Sequence, residues 1–360
     1  MDGFRGSAGA GLFNDNGRCA MKVAHNGHAK PNTESPTCVC GLNQTTARVT
    51  TARDEVTGEL FDYRECSGCG VERVMPRPGP NVIGSYYPQD YYAYVPDPSR
   101  EQSFALSLSR VVYRVYWAPP VSASISWRLF RIPLFLFLWP VRYRTLLCFR
   151  QPVLRRVFEF GAATGKDLSE FLAAGWEVTG CEPSPKACQA ARQRGIVLQN
   201  CSAEQATLPE AHFTCVLMNN VFEHLHDPVE VLAKCREGLS EGGALVLIVP
   251  NHASFTARVV GAAWPGYDPP RHLWGFTPKS ITALLTRSGF TVAHIHHQAP
   301  TLWSWVASVA GTRSPSGGSR LRSFAARFLP QALLPVGLVA AMCGRGDFIR
   351  VVAHKTQVAN

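Results

Sequence analysis

The C-terminal part of the chain alternates short apolar runs with longer amphipathic stretches. Apolar runs bounded by Gly, Pro, Asn or Asp are typical of strands, and the stretches between them have the period of helices. The predicted strands are residues 153–160, 176–183, 196–200, 213–220, 244–251, 291–297 and 347–355. Helical stretches connect the first five, so the region from Arg155 to Lys355 is predicted to form an α/β sheet with helical crossovers.

The predicted helices carry signals at their ends. Ser184 is placed to cap one helix, with Pro185 in its first turn, and Thr277 is placed to cap another. Gly175 and Gly195 follow the last periodic positions of two helices, where a left-handed residue commonly ends a helix. The helical stretches are residues 164–175, 184–195, 227–243 and 277–290.

Composition divides the chain into segments with different expected roles. The first 35 residues are rich in Gly, Ala, Asn and Asp and show no period, which predicts a disordered tail. The predicted segments are this tail at 1–35, a cysteine-containing lobe at 36–98, a basic apolar helical connector at 99–152 and the α/β domain at 153–357, with a basic apolar insertion at 298–346.

The formal net charge is +10, and the basic residues lie in two segments. From Gln102 to Phe158 there are nine arginines and no acid, and from Pro269 to Gly346 there are seven arginines, one lysine and no acid. The chain is 46% hydrophobic and 17% charged, which predicts a sizeable core and excludes global disorder. The basic excess therefore belongs to two apolar segments and not to the whole surface.

Residues 127–150 raise the question of a membrane partner. Their apolar core of about eight residues is too short to span a bilayer, which needs about twenty. Arginines and tryptophans beside apolar runs suit a helix lying on an anionic membrane, and an apolar lid over a binding site is the alternative. Nucleic-acid binding ranks lowest, because the arginines are mixed with aliphatic residues. Residues 324–344 repeat the pattern more weakly and are not predicted to be transmembrane.

The expected compartment is the cytoplasm, with peripheral contact at the inner membrane surface as an open alternative. No N-terminal stretch combines a basic start with an apolar run, so no secretory signal is predicted. The twelve cysteines are mostly scattered singly, which indicates a reducing compartment and not a disulfide framework.

The loop "VFEFGAATG", residues 157–165, follows the first predicted strand. It lacks the Gly-Lys-Ser/Thr of a phosphate-binding P-loop, and Ala163 stands where a dinucleotide-binding loop needs its second glycine. Alone, the pattern is as consistent with a tight turn as with a nucleotide site. Glu182 changes this balance, because an acid about twenty residues after the loop, ending the next strand, is placed to bind ribose hydroxyls.

Two further stretches complete a pattern. "SAE", residues 202–204, follows the third strand, and "NNVFEHLHDP", residues 219–228, follows the fourth. With the glycine loop and "GCEPS", these stretches resemble class I S-adenosylmethionine (SAM)-dependent methyltransferases, in particular the ubiquinone-biosynthesis-like group of methyltransferase types 11, 12 and 23. The resemblance implies a Rossmann-like seven-stranded sheet with an antiparallel last strand, and SAM as cofactor.

The resemblance also implies which residues bind the cofactor. The glycine loop and its acid would hold the methionine part, Glu182 the ribose, residues 203–204 the adenine, and residues 219–220 would line the pocket beneath the sulfonium. The implied cofactor residues are Glu159, Gly161, Ala162, Gly165, Glu182, Pro183, Ala203, Glu204, Asn219 and Asn220. Ala163 departs from the family, in which many members have glycine, and alanine is expected to fit there with a negative φ.

An oxygen acceptor must lose its proton, and histidine suits the role of general base. His224 follows the fourth strand, and His272 lies in "YDPPRHLWGF", similar to a family stretch near the acceptor pocket. Either histidine could instead simply cap or pack a loop. His226 is a weaker candidate, because it lies at the start of the next helix. Predicted activity is O-methylation of a small-molecule, glycan or lipid-linked acceptor; the alternatives are C-methylation of a nucleotide-linked sugar and a non-catalytic SAM-binding or scaffold protein.

The N-terminal lobe contains two cysteine pairs. The second pair has the Cys-x-x-Cys-Gly spacing of a zinc knuckle, whereas in the first pair Thr37 stands where a cysteine would be expected. The lobe resembles the zinc ribbon ahead of some bacterial SAM methyltransferases, including sugar C-methyltransferases, which implies a structural Zn²⁺ ion. The predicted ligands are Cys38, Cys40, Cys66 and Cys69. Two unrelated cysteine pairs are the alternative, and His25 or His28 could substitute as ligands.

A paired-tyrosine segment follows the cysteine lobe. Tyr91 and Tyr92 could cover the cofactor or the acceptor, but packing of the two lobes against each other is the favoured interpretation.

Overall fold

The computed structural model describes residues 33–88, 154–298, 336–337 and 339–356. The predictions for His25, His28, Tyr91, Tyr92 and the segment 127–150 lie outside the described residues, as does most of 298–346. Among the helices that are described, none is both long and apolar enough to cross a membrane.

A seven-stranded sheet forms the centre of the α/β domain. Its strands are β6 (Arg156–Phe160), β7 (Glu177–Cys181), β8 (Leu198–Gln199), β9 (Phe213–Asn219), β10 (Leu239–Pro250), β12 (Phe290–Gln298) and β13 (Phe348–Lys355). Their spatial order is β12-β13-β10-β9-β6-β7-β8. The strands from β6 to β10 are parallel, and β13 is antiparallel to both β10 and β12. The predicted sheet with its antiparallel last strand is confirmed.

Helices fill the crossovers, and those that begin at Pro185, Pro228 and Pro278 start where the sequence predicts; the helix at Phe255–Val260 was not predicted. The helices are α1 (Lys166–Ala173), α2 (Pro185–Gln193), α3 (Pro228–Gly238), α4 (Phe255–Val260) and α5 (Pro278–Arg287). The Ser184 hydroxyl accepts a hydrogen bond from the Ala187 N–H, and Thr277 forms a reciprocal capping box with Ser280.

The third helix is shorter than predicted, and the next strand is longer. The sequence predicts helix to residue 243 and strand from Ala244, whereas α3 ends at Gly238 and β10 begins at Leu239. Leu239 pairs with Phe213 of β9, and the register shifts before Ala244. Pairing with a neighbouring strand therefore overrides the local helical pattern of this stretch.

Both faces of the sheet are buried. Phe158, Phe160 and Met218 belong to one apolar cluster, and Leu217 and Val246 belong to another; all five are at most 1% exposed. Parallel strands covered by helices on both faces are expected to read as continuous apolar runs, and these do. Burial of each such side chain contributes about 1.5–3 kcal/mol, so the sheet provides a rigid platform for its loops.

The N-terminal lobe consists of short strands and a 3-10 turn. They are β1 (Thr33–Glu34), β2 (Thr45–Arg53), β3 (Leu60–Cys66), β4 (Glu72–Val74), β5 (Arg77–Pro78) and the turn Ile83–Tyr86. The first strand pairs with β5, and it lies before the predicted lobe boundary at residue 36. Strand β11 (Trp274–Gly275), from the loop after β10, pairs with β4 and completes a four-stranded sheet in the order β11-β4-β3-β2. The lobe and the α/β domain therefore share a sheet.

Candidate active site

The predicted cofactor residues converge at one edge of the sheet. Gly161 follows β6, Glu182 follows β7, and Asn219 ends β9. These strands are adjacent and parallel, so their carboxyl ends meet. Open α/β sheets bind ligands at this edge.

The glycine loop between β6 and α1 requires glycine at both predicted positions. Gly161 has φ +62° and Gly165 has φ +72°, a backbone conformation that glycine adopts without strain. A Cβ atom on Gly161 would lie 2.5 Å from Cγ2 of Val221, which is an impossible contact. The loop backbone therefore packs against the segment after β9 and leaves no room for a side chain.

Ala163 contradicts the expectation of a negative φ. Its φ is +47°, in the left-handed region. The reason is a tertiary contact: the Ala163 N–H donates a hydrogen bond to Oε2 of Glu182 at 3.0 Å, and the backbone turns to make it. An L-residue in this region costs about 1–2 kcal/mol, which explains why glycine is the easier choice here.

Glu182 holds the loops at the carboxyl edge together. Its other carboxylate oxygen, Oε1, accepts the Ser184 N–H at 2.8 Å, and its backbone oxygen and that of Pro183 accept the Asn200 amide at 2.9 and 3.0 Å. Burial raises the pKa of Glu182, although the two N–H donors act in the opposite direction. Each carboxylate oxygen has a second acceptor site, so Glu182 can bind ligand hydroxyls in addition to bracing the loop.

Glu159 is a buried acid in β6, only 2% exposed. Its Oε2 has no hydrogen-bond partner among the residues that the structure describes. Burial, and then the negative charges of Asp167 and Glu182, raise the pKa of Glu159 well above its usual value. A buried carboxyl with an unused acceptor is a costly feature for folding, and it suits a cationic ligand.

The two asparagines after β9 form a chain of side-chain hydrogen bonds with α1. The Asn219 amide donates to Oδ2 of Asp167 at 2.6 Å, and the Asn220 amide donates to Oδ1 of Asn219 at 3.0 Å. Asn220 has φ +53°. Sequence reasoning missed Asp167; the signal was an acid in the first turn of the helix that follows the glycine loop.

The segment predicted at the adenine end is tied to the loop before α3. Ala203 is buried, and Oε1 of Glu204 accepts the backbone N–H of His226 at 3.2 Å. The Lys234 ammonium donates to the Glu204 backbone oxygen. Ala162 is also buried, and its N–H donates to the Cys181 oxygen at 3.1 Å. Backbone contacts thus position these residues.

The two predicted catalytic histidines come together from separate loops. The rings of His224 and His272 lie 4.7 Å apart at 74°. Nδ1 of His224 lies 2.8 Å from the backbone oxygen of Arg271, and Nδ1 of His272 lies 2.7 Å from that of Gly266. Burial lowers the pKa of both histidines, that of His272 to about 3, so both are neutral at pH 7.

A third side chain completes this group, and sequence reasoning missed it. Oε1 of Glu223 lies 3.9 Å from Nε2 of His272, and Glu223 is only 1% exposed. Burial raises the pKa of Glu223 to about 8. The available signal was its place in the quoted stretch, directly before His224. His226 is turned elsewhere, because its Nε2 lies 3.1 Å from the Pro78 oxygen of the N-terminal lobe.

The four predicted zinc ligands lie together in the N-terminal lobe. Sγ of Cys38 lies 3.5 Å from Sγ of Cys69, and Sγ of Cys40 lies 3.5 Å from Sγ of Cys66. All four sulfur atoms are within 4.8 Å of one another. A tetrahedral zinc–thiolate centre has sulfur atoms about 3.8 Å apart, so the cluster fits a structural zinc ion and the short first pair is no obstacle.

Comparison with known proteins agrees with this geometry. Residues 136–295 match the family described as a methyltransferase domain. The chain carries a class I SAM-dependent methyltransferase domain. The ubiquinone biosynthesis O-methyltransferase of Cereibacter sphaeroides strain ATCC 17025 is 32% identical over 165 residues, which are 42% of this chain and 66% of that protein.

Other similar proteins are more distant or more partial. An uncharacterised protein of Mycobacterium tuberculosis is 31% identical over 161 residues, 43% of this chain and 53% of the relative. A solved SAM-dependent methyltransferase of Thermotoga maritima, described as a possible histamine N-methyltransferase, aligns over 70% of this chain and all of its own, with 19% identity and a TM-score of 0.41. The chain thus spans 66% of the length of the Cereibacter sphaeroides relative and 53% of the length of the Mycobacterium tuberculosis relative.

Proposed function

We propose that this protein transfers a methyl group from SAM to an oxygen atom of a small-molecule, glycan or lipid-linked acceptor. The observation that carries the proposal is the pairing of a tight glycine loop with the buried, incompletely paired carboxyl group of Glu159. Such a cradle repels phosphate and favours a ligand with positive charge, and SAM is cationic at its sulfur and its amino group. The ubiquinone O-methyltransferase relatives favour oxygen as the acceptor atom.

The cofactor residues present in this chain fit SAM. Gly161 and Gly165 keep the loop free of side chains where the methionine part would lie, and Glu159 offers its unused acceptor there. Glu182 retains acceptor sites for the ribose hydroxyls. The Asp167–Asn219–Asn220 chain fixes the floor of the pocket by hydrogen bonds.

When bound, SAM supplies a methyl carbon that bonds to the acceptor oxygen while the carbon–sulfur bond breaks and the sulfur keeps its electron pair. The chain must then orient the acceptor and remove its hydroxyl proton. We assign this task to the cluster of Glu223, His224 and His272, which the fold assembles from two loops. Its burial also excludes water from the reacting groups.

A second candidate is C-methylation of a nucleotide-linked sugar. The four-cysteine cluster favours it, because sugar C-methyltransferases are among the proteins that this lobe resembles. In both cases we propose a structural zinc ion held by Cys38, Cys40, Cys66 and Cys69, with no ligand position left open for catalysis. Contact of residues 127–150 with a membrane surface stays a prediction.

Two measurements test the proposal. Isothermal calorimetry of the full chain should show binding of SAM, and the Glu182→Gln variant should bind it at least about tenfold more weakly, since a lost charge-assisted hydrogen bond is worth about 1.5–3 kcal/mol. Incubation with methyl-labelled SAM and panels of phenols, glycans and nucleotide sugars should then label one class. Absence of SAM binding removes the proposal. Binding without labelling of any class favours the non-catalytic alternative.

A further inference from the structure

We infer that Glu223, His224 and His272 form a binding site for a divalent metal ion of the zinc class, separate from the four-cysteine cluster. The inference rests on the proposed function and deepens it. One donor atom from each side chain lies within 4.8 Å of the other two. Two imidazoles and one carboxylate are a donor set that binds zinc or iron(II) and leaves coordination positions open for a substrate.

The surroundings of the histidines are those of metal ligands. A backbone carbonyl can only accept a hydrogen bond, so Nδ1 of His272, which faces the Gly266 oxygen at 2.7 Å, carries its hydrogen. The His272 ring is therefore held with Nε2 as the nitrogen that has a free electron pair, and metal-binding histidines are oriented in this way. Nδ1 of His224 lies 2.8 Å from the Arg271 oxygen and 3.2 Å from the Tyr87 hydroxyl group.

Glu223 supplies the second, independent observation. Both of its carboxylate oxygens are buried, and neither has a hydrogen-bond partner in the described part of the chain. Folded proteins rarely leave a buried carboxyl group unpaired, because its desolvation is then uncompensated. A metal ion at this point would be the missing partner.

The nearby cation does not fill that role. The Arg271 guanidinium contacts Asp268 at 2.7 and 3.0 Å and Asp54 at 3.1 Å. Its charge is thus neutralised by two other carboxylates, and it also donates a hydrogen bond to the Tyr86 oxygen at 2.7 Å.

The cluster needs only side-chain adjustment to close on an ion. Neighbouring ligands of a tetrahedral zinc ion lie about 3.3 Å apart. Nε2 of His272 and Oε1 of Glu223 are already 3.9 Å apart. Since Glu223 and His224 lie in the 3-10 turn Phe222–His224 and His272 lies in the loop before β11, the site bridges two separate segments of the chain.

A metal here changes the role of the histidines from bases to ligands. An acceptor hydroxyl bound at an open position would have its pKa lowered by the positive charge, so it could release its proton to solvent as it binds, before water is excluded. Its oxygen would then be ready to accept the methyl group.

The test counts metal ions. The full chain and its variants are equilibrated with Zn²⁺ alone, freed of unbound metal, and assayed for zinc per chain by mass spectrometry. We expect Glu223→Gln and His272→Gln each to hold one zinc ion fewer than the wild type. Glu72→Gln is the matched control, because Glu72 is another buried glutamate paired with a histidine, His252, at 2.9 Å; it should retain the wild-type count.

Replacement by Co²⁺ provides a second readout. The thiolate-to-cobalt absorption of the cysteine cluster should persist in Glu223→Gln, while the weaker absorption of a nitrogen–oxygen site should disappear. An equal metal content in wild type and Glu223→Gln, with both folded by circular dichroism, overturns the inference. Calorimetry with SAM on the same samples separates this result from failure of the proposed function, since metal content is measured without cofactor or acceptor.

Discussion

The hydroxyl group of Tyr63 in β3 lies 2.8 Å from the backbone oxygen of His272. It also contacts the backbone oxygen of Tyr267, so the cysteine-containing lobe holds the loop that carries a predicted catalytic residue. A buried ion pair between Asp54 and Arg271 joins the same two segments, with both side chains at most 4% exposed. The lobe therefore holds in place the loop that carries His272.

The Asp54–Arg271 pair should dominate the stability of this junction. Asp54→Asn leaves a buried guanidinium short of one counter-charge, and loss of a buried partner typically costs about 3–5 kcal/mol. Because Asp268 still faces Arg271, we expect the free energy of unfolding to fall by about 3 kcal/mol, the lower end of this range. Urea denaturation measures the change. Glu177→Gln, which removes the exposed Arg156–Glu177 pair, should cost no more than about 1 kcal/mol. Equal effects of the two changes would contradict this assignment.

Gly161→Ala should weaken SAM binding at least about tenfold, because the added Cβ meets Val221 at 2.5 Å and pushes the loop away from the cofactor position. Calorimetry measures the effect. Gly195→Ala is the control, since Gly195 also has a positive φ, +78°, but has open space around its Cβ position. It should cost stability through its backbone conformation and leave SAM affinity unchanged.

Ala163→Gly should stabilise the protein by about 0.5–1 kcal/mol. Glycine relieves the strain of φ +47°, and its larger loss of conformational entropy on folding offsets part of the gain. Thermal or urea unfolding measures the change. Ala162, the residue before Ala163, is buried and does not have a positive φ. Ala162→Gly should therefore destabilise the protein. A loss of stability for both variants would show that the strain at Ala163 is not significant.

Glu159 should make stability depend on pH. Its pKa is raised in the folded protein, so the folded state binds more protons than the unfolded state above the unfolded pKa of about 4.3. Stability therefore falls as pH rises from that value through the folded pKa. Glu159→Gln should remove this fall of stability with pH, because glutamine does not titrate. The melting temperature of the variant should therefore rise relative to that of the wild type as pH increases from 5 to 8. The variant should also bind SAM more weakly. Parallel pH profiles for the two proteins would refute the assignment.

The cysteine cluster should bind one zinc ion that the fold of the lobe requires. Cys69→Ser should lose one zinc ion per chain and melt at a lower temperature, because structural zinc contributes directly to folding. Cys343→Ser, at an exposed free cysteine outside the cluster, should match the wild type in both measurements. Unchanged zinc content in Cys69→Ser would support two unrelated cysteine pairs.

Local sequence patterns determined the elements of the sheet and the order of the cofactor loops. Apolar runs, helix caps and glycines act within a few residues of each other, so they can be recognised from the sequence without the tertiary structure. This is why the strands β6, β7 and β9 and the helix starts at Pro185 and Pro278 follow the predicted pattern. The spacing of Glu182 after the glycine loop likewise indicated a ribose-binding site, and four short stretches in order resembled SAM-dependent methyltransferases.

Only the tertiary structure decided the features that join distant segments. The positive φ of Ala163 follows from a hydrogen bond to Glu182, nineteen residues away. The placement of β11 in the sheet of the N-terminal lobe, and of Glu223 beside His272, depends on contacts that leave no period or local motif in the sequence. Such contacts are selected by packing and by satisfaction of buried polar groups, which are properties of the assembled fold.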